Sequence, residues 1–276
     1  MRTRLLLTVC IFVTIVGLAQ ATAQPGYYLA LGDSLAIGLQ PSGKGVGIDI
    51  PTNQGYVDDL YAFLRARNPG LRLAKLGCSG ETTSSMVSGG MCAYPEGSQL
   101  AAAENFLQTH RVELITIDIG ANDVDHCISP VFSLGCIETG TGLVELNLPQ
   151  ILLGLRAASP NTPIVAMNYY DPFLAAWILG PAGQTLAGES KTATDEFNGE
   201  LQEIYEAAGV PVVDVASAFE VDNGNPIPFL NVPVNVFLTL IWTWTAAPAP
   251  FGPDIHPNAL GYAVIAEAFV TKITKP

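Results

Sequence analysis

The stretch Tyr28-Leu29-Ala30-Leu31-Gly32-Asp33-Ser34-Leu35 decides how the rest of the chain is read. A short apolar run of strand character ends in a glycine turn, and the residues beyond the turn can open a helix. A serine at a strand-to-helix turn holds its hydroxyl clear of the sheet, with its own N–H in the positive field of the helix start. A nucleophile and the first donor of an oxyanion hole are wanted at such a place. Asp and Ser after a glycine turn are also ordinary helix N-caps. Taken alone the stretch leaves both roles open.

Upstream, residues 1–23 have the layout of a secretory signal peptide. Arg2 and Arg4 precede an uncharged apolar run from Leu5 to Ala19, and Ala21-Thr22-Ala23 offers a small-x-small cleavage site, with Ala19-Gln20-Ala21 as the alternative. The run is shorter than the roughly 20 residues that span a bilayer. Val9 rather than a small residue precedes Cys10, which speaks against a lipoprotein anchor. The expectation is a secreted protein, extracellular or periplasmic, with residues 24–276 forming one domain. The net charge of −13 is carried against only 12 Lys and Arg, which argues against nucleic acid as a partner.

Downstream, strand and helix patterns alternate. Apolar runs at Tyr28–Leu31, Leu71–Leu76, Leu114–Ile119, Ile164–Met167 and Val210–Val215 read as five strands. Helical periodicity marks Tyr56–Ala66, Leu100–His110, Leu143–Ala158 (interrupted by Pro149), Ser190–Ala208 and Asn258–Thr271. Apolar strands separated by helices predict an α/β fold, a three-layer α/β/α sandwich around a five-stranded parallel, flavodoxin-like sheet. In such sheets sites form at the carboxyl ends of strands.

Polar motifs stand at those ends. Gly77-Cys78-Ser79-Gly80-Glu81-Thr82 follows the second strand, Gly120-Ala121-Asn122-Asp123 the third, and Asp254-Ile255-His256-Pro257-Asn258 precedes the last helix. With Gly32-Asp33-Ser34-Leu35, these four blocks, in this order and spacing, resemble the GDSL or SGNH hydrolase family, and the resemblance extends over essentially all of residues 24–276. It implies a single hydrolase domain with Ser34 as nucleophile and His256 as general base. The oxyanion hole would be built from the backbone N–H groups of Ser34 and Gly80 and the side-chain amide of Asn122. Gly77 is the alternative to Gly80, whose context matches the family better. The family places an aspartate three residues before the histidine; here that position is Pro253, and the acid, Asp254, lies two before. Either Asp254 orients His256, since i and i+2 of an extended segment share a side, or a backbone carbonyl near Pro253 does so.

The remaining candidates read as structural. His110 sits beside Arg111 at a helix end, where a cation complements the dipole. His126 lies near the Asn122 block without an assigned role. Asp123, Asp125 and His126 have no second cluster at ligand spacing, and Asp222-Asn223-Gly224-Asn225 lacks the further acids of a calcium loop, so neither a metal nor another cofactor is expected. No G-x-S-x-G is present. Cys78 and Cys92 flank Gly80, and Cys127 and Cys136 follow Asn122. Pairing of neighbours, 78 with 92 and 127 with 136, is favoured in an exported chain, each bridge worth roughly 3 kcal/mol and each holding an oxyanion donor in place.

Two segments are placed to shape substrate preference. One is Asn168–Phe173 with the apolar run Leu174–Leu179. The other is the uncharged, aromatic-rich 227–251, either an acyl pocket or interfacial flap, or buried core with a strand that turns Thr239, Thr243 and Thr245 outward. The expected activity is that of a serine esterase or lipase acting on carboxylic esters, with a carbohydrate O-acetylesterase as the same-fold alternative and an inactive surface-binding module as the other class. The expected partner is a small-molecule or lipid ester, met by a monomer that touches a lipid interface only transiently.

Overall fold

β-branched and leucine-rich runs, too apolar to face water on either side, assemble the central sheet. The computed structural model describes residues 25–129 and 131–274; the expected signal peptide, 1–23, lies outside them. In chain order the elements are β1 (Tyr27–Gly32), β2 (Gln40–Pro41), β3 (Asp49–Ile50), α1 (Tyr56–Arg67), β4 (Arg72–Lys75), α2 (Thr83–Ser88), α3 (Gln99–Thr109), β5 (Val112–Asp118) and α4 (Ala121–Val124). There follow α5 (Leu134–Ala158), β6 (Ile164–Met167), α6 (Pro181–Ala207), β7 (Val212–Val213), α7 (Val215–Ala218), α8 (Val234–Trp242) and α9 (Ala259–Thr274). Short 3-10 turns occupy Asp125–Cys127 and Pro172–Leu179.

The five-stranded sheet has the order β4-β1-β5-β6-β7, and every pairing is parallel. This is the flavodoxin-like order expected from the strand–helix alternation. α1 packs on α9, where Tyr56 and Phe269 stack with ring centroids 5.0 Å apart, while α3, α5 and α6 pack side by side. A separate antiparallel hairpin, β2 with β3, stands outside the sheet.

Four expectations need correction. The residues after Ser34 do not open a helix: they form turns closed by Gly38 N–H to Leu35 O and Leu39 N–H to Ser34 O, and Gly38, at φ 65°, ends the series. Pro149 does not interrupt α5, which also begins earlier, at Leu134. Position 145, whose carbonyl loses its usual donor at the proline, is exposed to solvent. The first turns of α5 are rich in glycine, which hides them from helix periodicity, yet Gly140 is required there: a Cβ would run into the carbonyl of Asp123. Likewise α6 starts at Pro181 rather than Ser190. Finally, the 227–251 segment contains a helix, α8, with Thr239 and Thr243 buried rather than outward; their hydroxyls donate to the carbonyls of Asn235 and Thr239, four residues back.

The burial pattern yields a direct test. Ile117, in the central strand, is 0% exposed, whereas Leu153, on α5, is 70% exposed. Ile117→Ala is expected to lower the unfolding free energy by about 2–5 kcal/mol, and Leu153→Ala by less than about 0.5 kcal/mol, as read from urea midpoints.

Candidate active site

Ser34 lies two residues beyond the end of β1 and is 8% exposed. The turn beneath it is fixed by Asp33, whose N–H donates to the Asp118 carbonyl (3.1 Å) and whose Oδ1 accepts the Leu35 N–H (2.8 Å). Asp33 therefore closes the turn and leaves the Ser34 hydroxyl to other partners. One of them is His256: its Nε2 lies 2.9 Å from Ser34 Oγ, and its Nδ1 lies 2.8 Å from Asp254 Oδ1. The same Asp254 oxygen accepts the His256 backbone N–H at 2.8 Å. The two-residue spacing thus works through an Asx turn that folds carboxylate and ring together, rather than through side-by-side projection from an extended strand. Of the two partners considered for the imidazole, the structure brings Asp254 to it. Burial works to raise the Asp254 carboxyl, but the hydrogen bond and charge of His256 hold it below the usual range.

The loop bearing these two residues is held from behind. Trp244 N–H donates to His256 O (3.0 Å), Asp254 N–H donates to Trp244 O (3.1 Å), and Tyr170 Oη donates to Ile255 O (2.8 Å). The apolar 227–251 segment therefore buttresses the loop; none of its residues lines the cleft around Ser34.

Gly80 and Asn122 enter from the ends of β4 and β5. Gly80 has φ 78°, the left-handed region where a side chain strains the backbone, whereas the space beside it is open enough that a Cβ would meet only the Met91 sulfur at 3.4 Å. Gly77 does not line the cleft. Among the described residues, neither the Ser34 N–H nor the Gly80 N–H has an acceptor within the chain. Asn122 Nδ2 donates one bond to the Glu81 carbonyl at 3.0 Å, which leaves its second N–H for the cleft.

Sequence reading overlooked the residue that ties these pieces together. Gln99, the first residue of α3, is 0% exposed. Its Oε1 accepts the Gly32 N–H (2.7 Å), while its Nε2 donates to Gly32 O and to Glu81 Oε2 (2.9 Å each). One side chain so clamps the residue before the Asp33-Ser34 turn to the residue after Gly80. In sequence it is an unremarked polar residue beside an alanine-rich run, and only its burial reveals it.

The other candidates have local roles. Asp123 accepts the Thr83 N–H and hydroxyl (2.9 Å each), joining α4 to the start of α2. His126 is exposed, with Nε2 3.5 Å from the sulfurs of Cys127 and Cys136, and His110 stacks on Phe106. Both disulfides pair neighbours, Cys78–Cys92 (Cα–Cα 6.1 Å) and Cys127–Cys136 (5.5 Å). The first closes the loop that holds Gly80, and the second ties the turn after Asn122 to α5.

The cleft above Ser34 has a volume of about 170 Å³ and is walled by Ala121, Asp125, Tyr169, Tyr170, Pro172 and Ile255 beside the residues already named. The Asn168–Phe173 segment therefore does shape it. A larger groove of about 680 Å³, edged by five glutamates between α5 and α6, holds neither serine nor histidine. Buried-site chemistry is concentrated at the cleft, where a serine hydroxyl, an imidazole with a carboxylate behind it and unengaged N–H donors converge. Such a set can carry out nucleophilic acyl transfer.

Residues 30–264 match the model of the GDSL-like Lipase/Acylhydrolase family. Among solved structures, the fold is similar to an extracellular lipase from Streptomyces rimosus (TM-score 0.60, 17% identity, 90% of this chain and 99% of that one). It is also similar to phospholipase A1 from Streptomyces albidoflavus (TM-score 0.56, 19% identity, 90% and 99%). An acetylxylan esterase from Geobacillus stearothermophilus is a third (TM-score 0.52, 19% identity, 92% and 97%). Comparison with curated protein sequences finds no match.

Carboxyls around the cleft govern how stability varies with pH. Burial lifts Asp33 to about 6, against its bond from Leu35 and the charge of His256, and lifts Asp171 to about 6. Half-buried Asp125 is pushed up to about 8 by burial and then by the charges of Asp33 and Asp171. Between the ordinary carboxyl value, 3.8, and these raised values the folded chain binds more protons than the unfolded one, so stability falls as pH rises. The melting temperature is expected to decline from about pH 4 to about pH 8, and Asp125→Asn to flatten the portion between about 6 and 8. A wild-type melting temperature that rises across that range contradicts this account.

Proposed function

Because the chain belongs to the GDSL-like lipase/acylhydrolase family, we propose that it is an exported serine esterase or lipase that cleaves carboxylic esters through an acyl-enzyme on Ser34. The observation that carries this reading is the hydrogen-bonded line from Ser34 Oγ through His256 to Asp254, beside two main-chain N–H groups that have no acceptor among the described residues.

In this reading His256 carries its ring proton on Nδ1, donated to Asp254, and offers the Nε2 lone pair to the serine. Ser34 Oγ attacks the ester carbonyl carbon while Nε2 takes its proton. The carbonyl oxygen becomes an oxyanion that accepts from the N–H of Ser34, the N–H of Gly80 and the free N–H of Asn122. As the intermediate collapses, the imidazolium passes its proton to the leaving alcohol. Water then repeats the sequence on the acyl-enzyme, releasing the acid and restoring Ser34. No cofactor is required, and Asp254 keeps the imidazole in the tautomer the first step needs.

The walls favour an acyl chain. Beside Tyr169 and Tyr170 lies a narrow neck of about 20 Å³ whose lining is mostly apolar, with Ile128, Ile137, Phe173 and Phe197, and whose polar side chains besides the two tyrosines are Asp125 and Thr194. The tightness of that neck and of the cleft favours short to medium chains, and it is the observation that keeps a carbohydrate O-acetylesterase as the second reading. The disulfides accord with export to an oxidising compartment.

A p-nitrophenyl ester series separates the two. Rates that peak above acetate support the acyl esterase, while turnover confined to acetate supports the acetylesterase. On whichever ester is best, Ser34→Ala is expected to remove measurable turnover, and Asp254→Asn to lower kcat by about 10³–10⁴-fold. Near wild-type turnover by Asp254→Asn would remove the acid from the mechanism.

A further inference from the structure

The β2–β3 hairpin lies against the loop that carries Asp254 and His256. Trp244 Nε1 reaches Gln40 Oε1 in β2 at 3.4 Å, and the Phe251 ring, stacked on Trp244, packs beneath Gly43. Across from this anchor, Asp49 in β3 brings a second carboxyl to the catalytic loop. The oxygens of Asp49 and Asp254 and a ring nitrogen of His256 all lie within 4.8 Å of one another. Asp254 Oδ1 is occupied by the two N–H groups of His256. Asp49 Oδ1, in contrast, is buried and has no donor among the described residues.

Two ionised carboxylates this close repel, and a buried oxygen without a partner is costly. A single proton held between them removes both difficulties. The acid that keeps it is Asp49, because Asp254 gains from staying ionised beside His256. Burial, and then the charge of Asp254, push the Asp49 carboxyl above the usual aspartate range, whereas Asp254 is held low.

We propose that Asp49 is a positioning residue of this site: a neutral carboxylic acid that donates its O–H to Asp254 and so fixes the carboxylate that orients His256. The inference rests on the reading of Ser34, His256 and Asp254 as the ester-cleaving set. Asp49 touches neither substrate nor the reacting atoms; it acts through Asp254. Without that donor, the Asp254 carboxylate is held only through Oδ1, by the two N–H groups of His256, and the imidazole has a less firmly fixed partner during proton transfer.

The test compares kcat and KM for Asp49→Ala, Asp49→Leu and Asp49→Asn on the best p-nitrophenyl ester, with Asp254→Asn and the Asp49→Ala/Asp254→Asn double variant alongside. Removal of an outer hydrogen-bond partner is expected to lower kcat roughly 10–100-fold with KM within about twofold. Asp49→Asn, whose amide N–H replaces the O–H, is expected to stay within about threefold of wild type. The double variant is expected to be no slower than Asp254→Asn alone, which a merely structural contribution of Asp49 would not produce. Asp49→Leu supplies a second variant without a donor should Asp49→Ala fail to fold. The proposal is overturned if a folded variant without a donor keeps kcat within about twofold, if Asp49→Asn is as slow as Asp49→Ala, or if the losses add. Ser34→Ala retaining turnover would instead defeat the reading of the nucleophile, a result separate from any behaviour of Asp49.

Discussion

The three hydrogen bonds of Gln99 hold the site in register. Gly32 closes β1 and Glu81 follows Gly80 beyond β4; neither loop has regular structure to fix it, yet both must present an N–H to the same small volume. Gln99 meets the N–H and carbonyl of Gly32 and the carboxylate of Glu81, and the Glu81 carbonyl in turn receives Asn122. Each polar atom of the Gln99 amide is used, so its burial incurs no unpaired group, and a fully satisfied buried network is stiff. Three strand ends are thereby locked to one another, two of them by the Gln99 and Glu81 side chains outside the cleft and the third through Asn122, which lines it.

The Asp254–His256 pair depends on a different constraint. Asp254 and His256 are only two residues apart, too close for independent elements to deliver them, and the Asx turn solves this by using one carboxylate oxygen for both the backbone and ring N–H of His256. That turn is itself held by Trp244 and Tyr170. The uncharged segment before it is therefore understood as scaffolding for the loop. α8 and the hairpin contacts supply the rigidity that a lone three-residue turn lacks.

Much of this was legible in the residues. The five strands and the parallel arrangement follow from apolar runs alternating with helical periodicity; Ser34, Gly80 and Asn122 stand just past strand ends, and His256 stands before the last helix. The misses have physical causes. Local pattern cannot tell a helix start from a run of turns when a glycine four residues on decides it, as Gly38 does. Glycine-rich first turns conceal the start of α5 because their purpose, close approach to α4, is a tertiary one. An apolar run with threonines fits a strand or a helix equally, and α8 is settled by hydroxyls bonding four residues back. Gln99 and Asp49 carry no motif at all. Their importance comes from burial and from partners far away in sequence, which spacing does not encode.

A crystal structure of the chain after reaction with an alkyl organophosphonate tests the central claim most directly. The account predicts phosphorus bonded to Ser34 Oγ, with the phosphoryl oxygen accepting from the N–H of Ser34, the N–H of Gly80 and Asn122 Nδ2, and with the alkyl group directed past Tyr169 and Tyr170. Failure of the folded protein to react, an adduct on another residue, or a phosphoryl oxygen turned away from those three donors would contradict it.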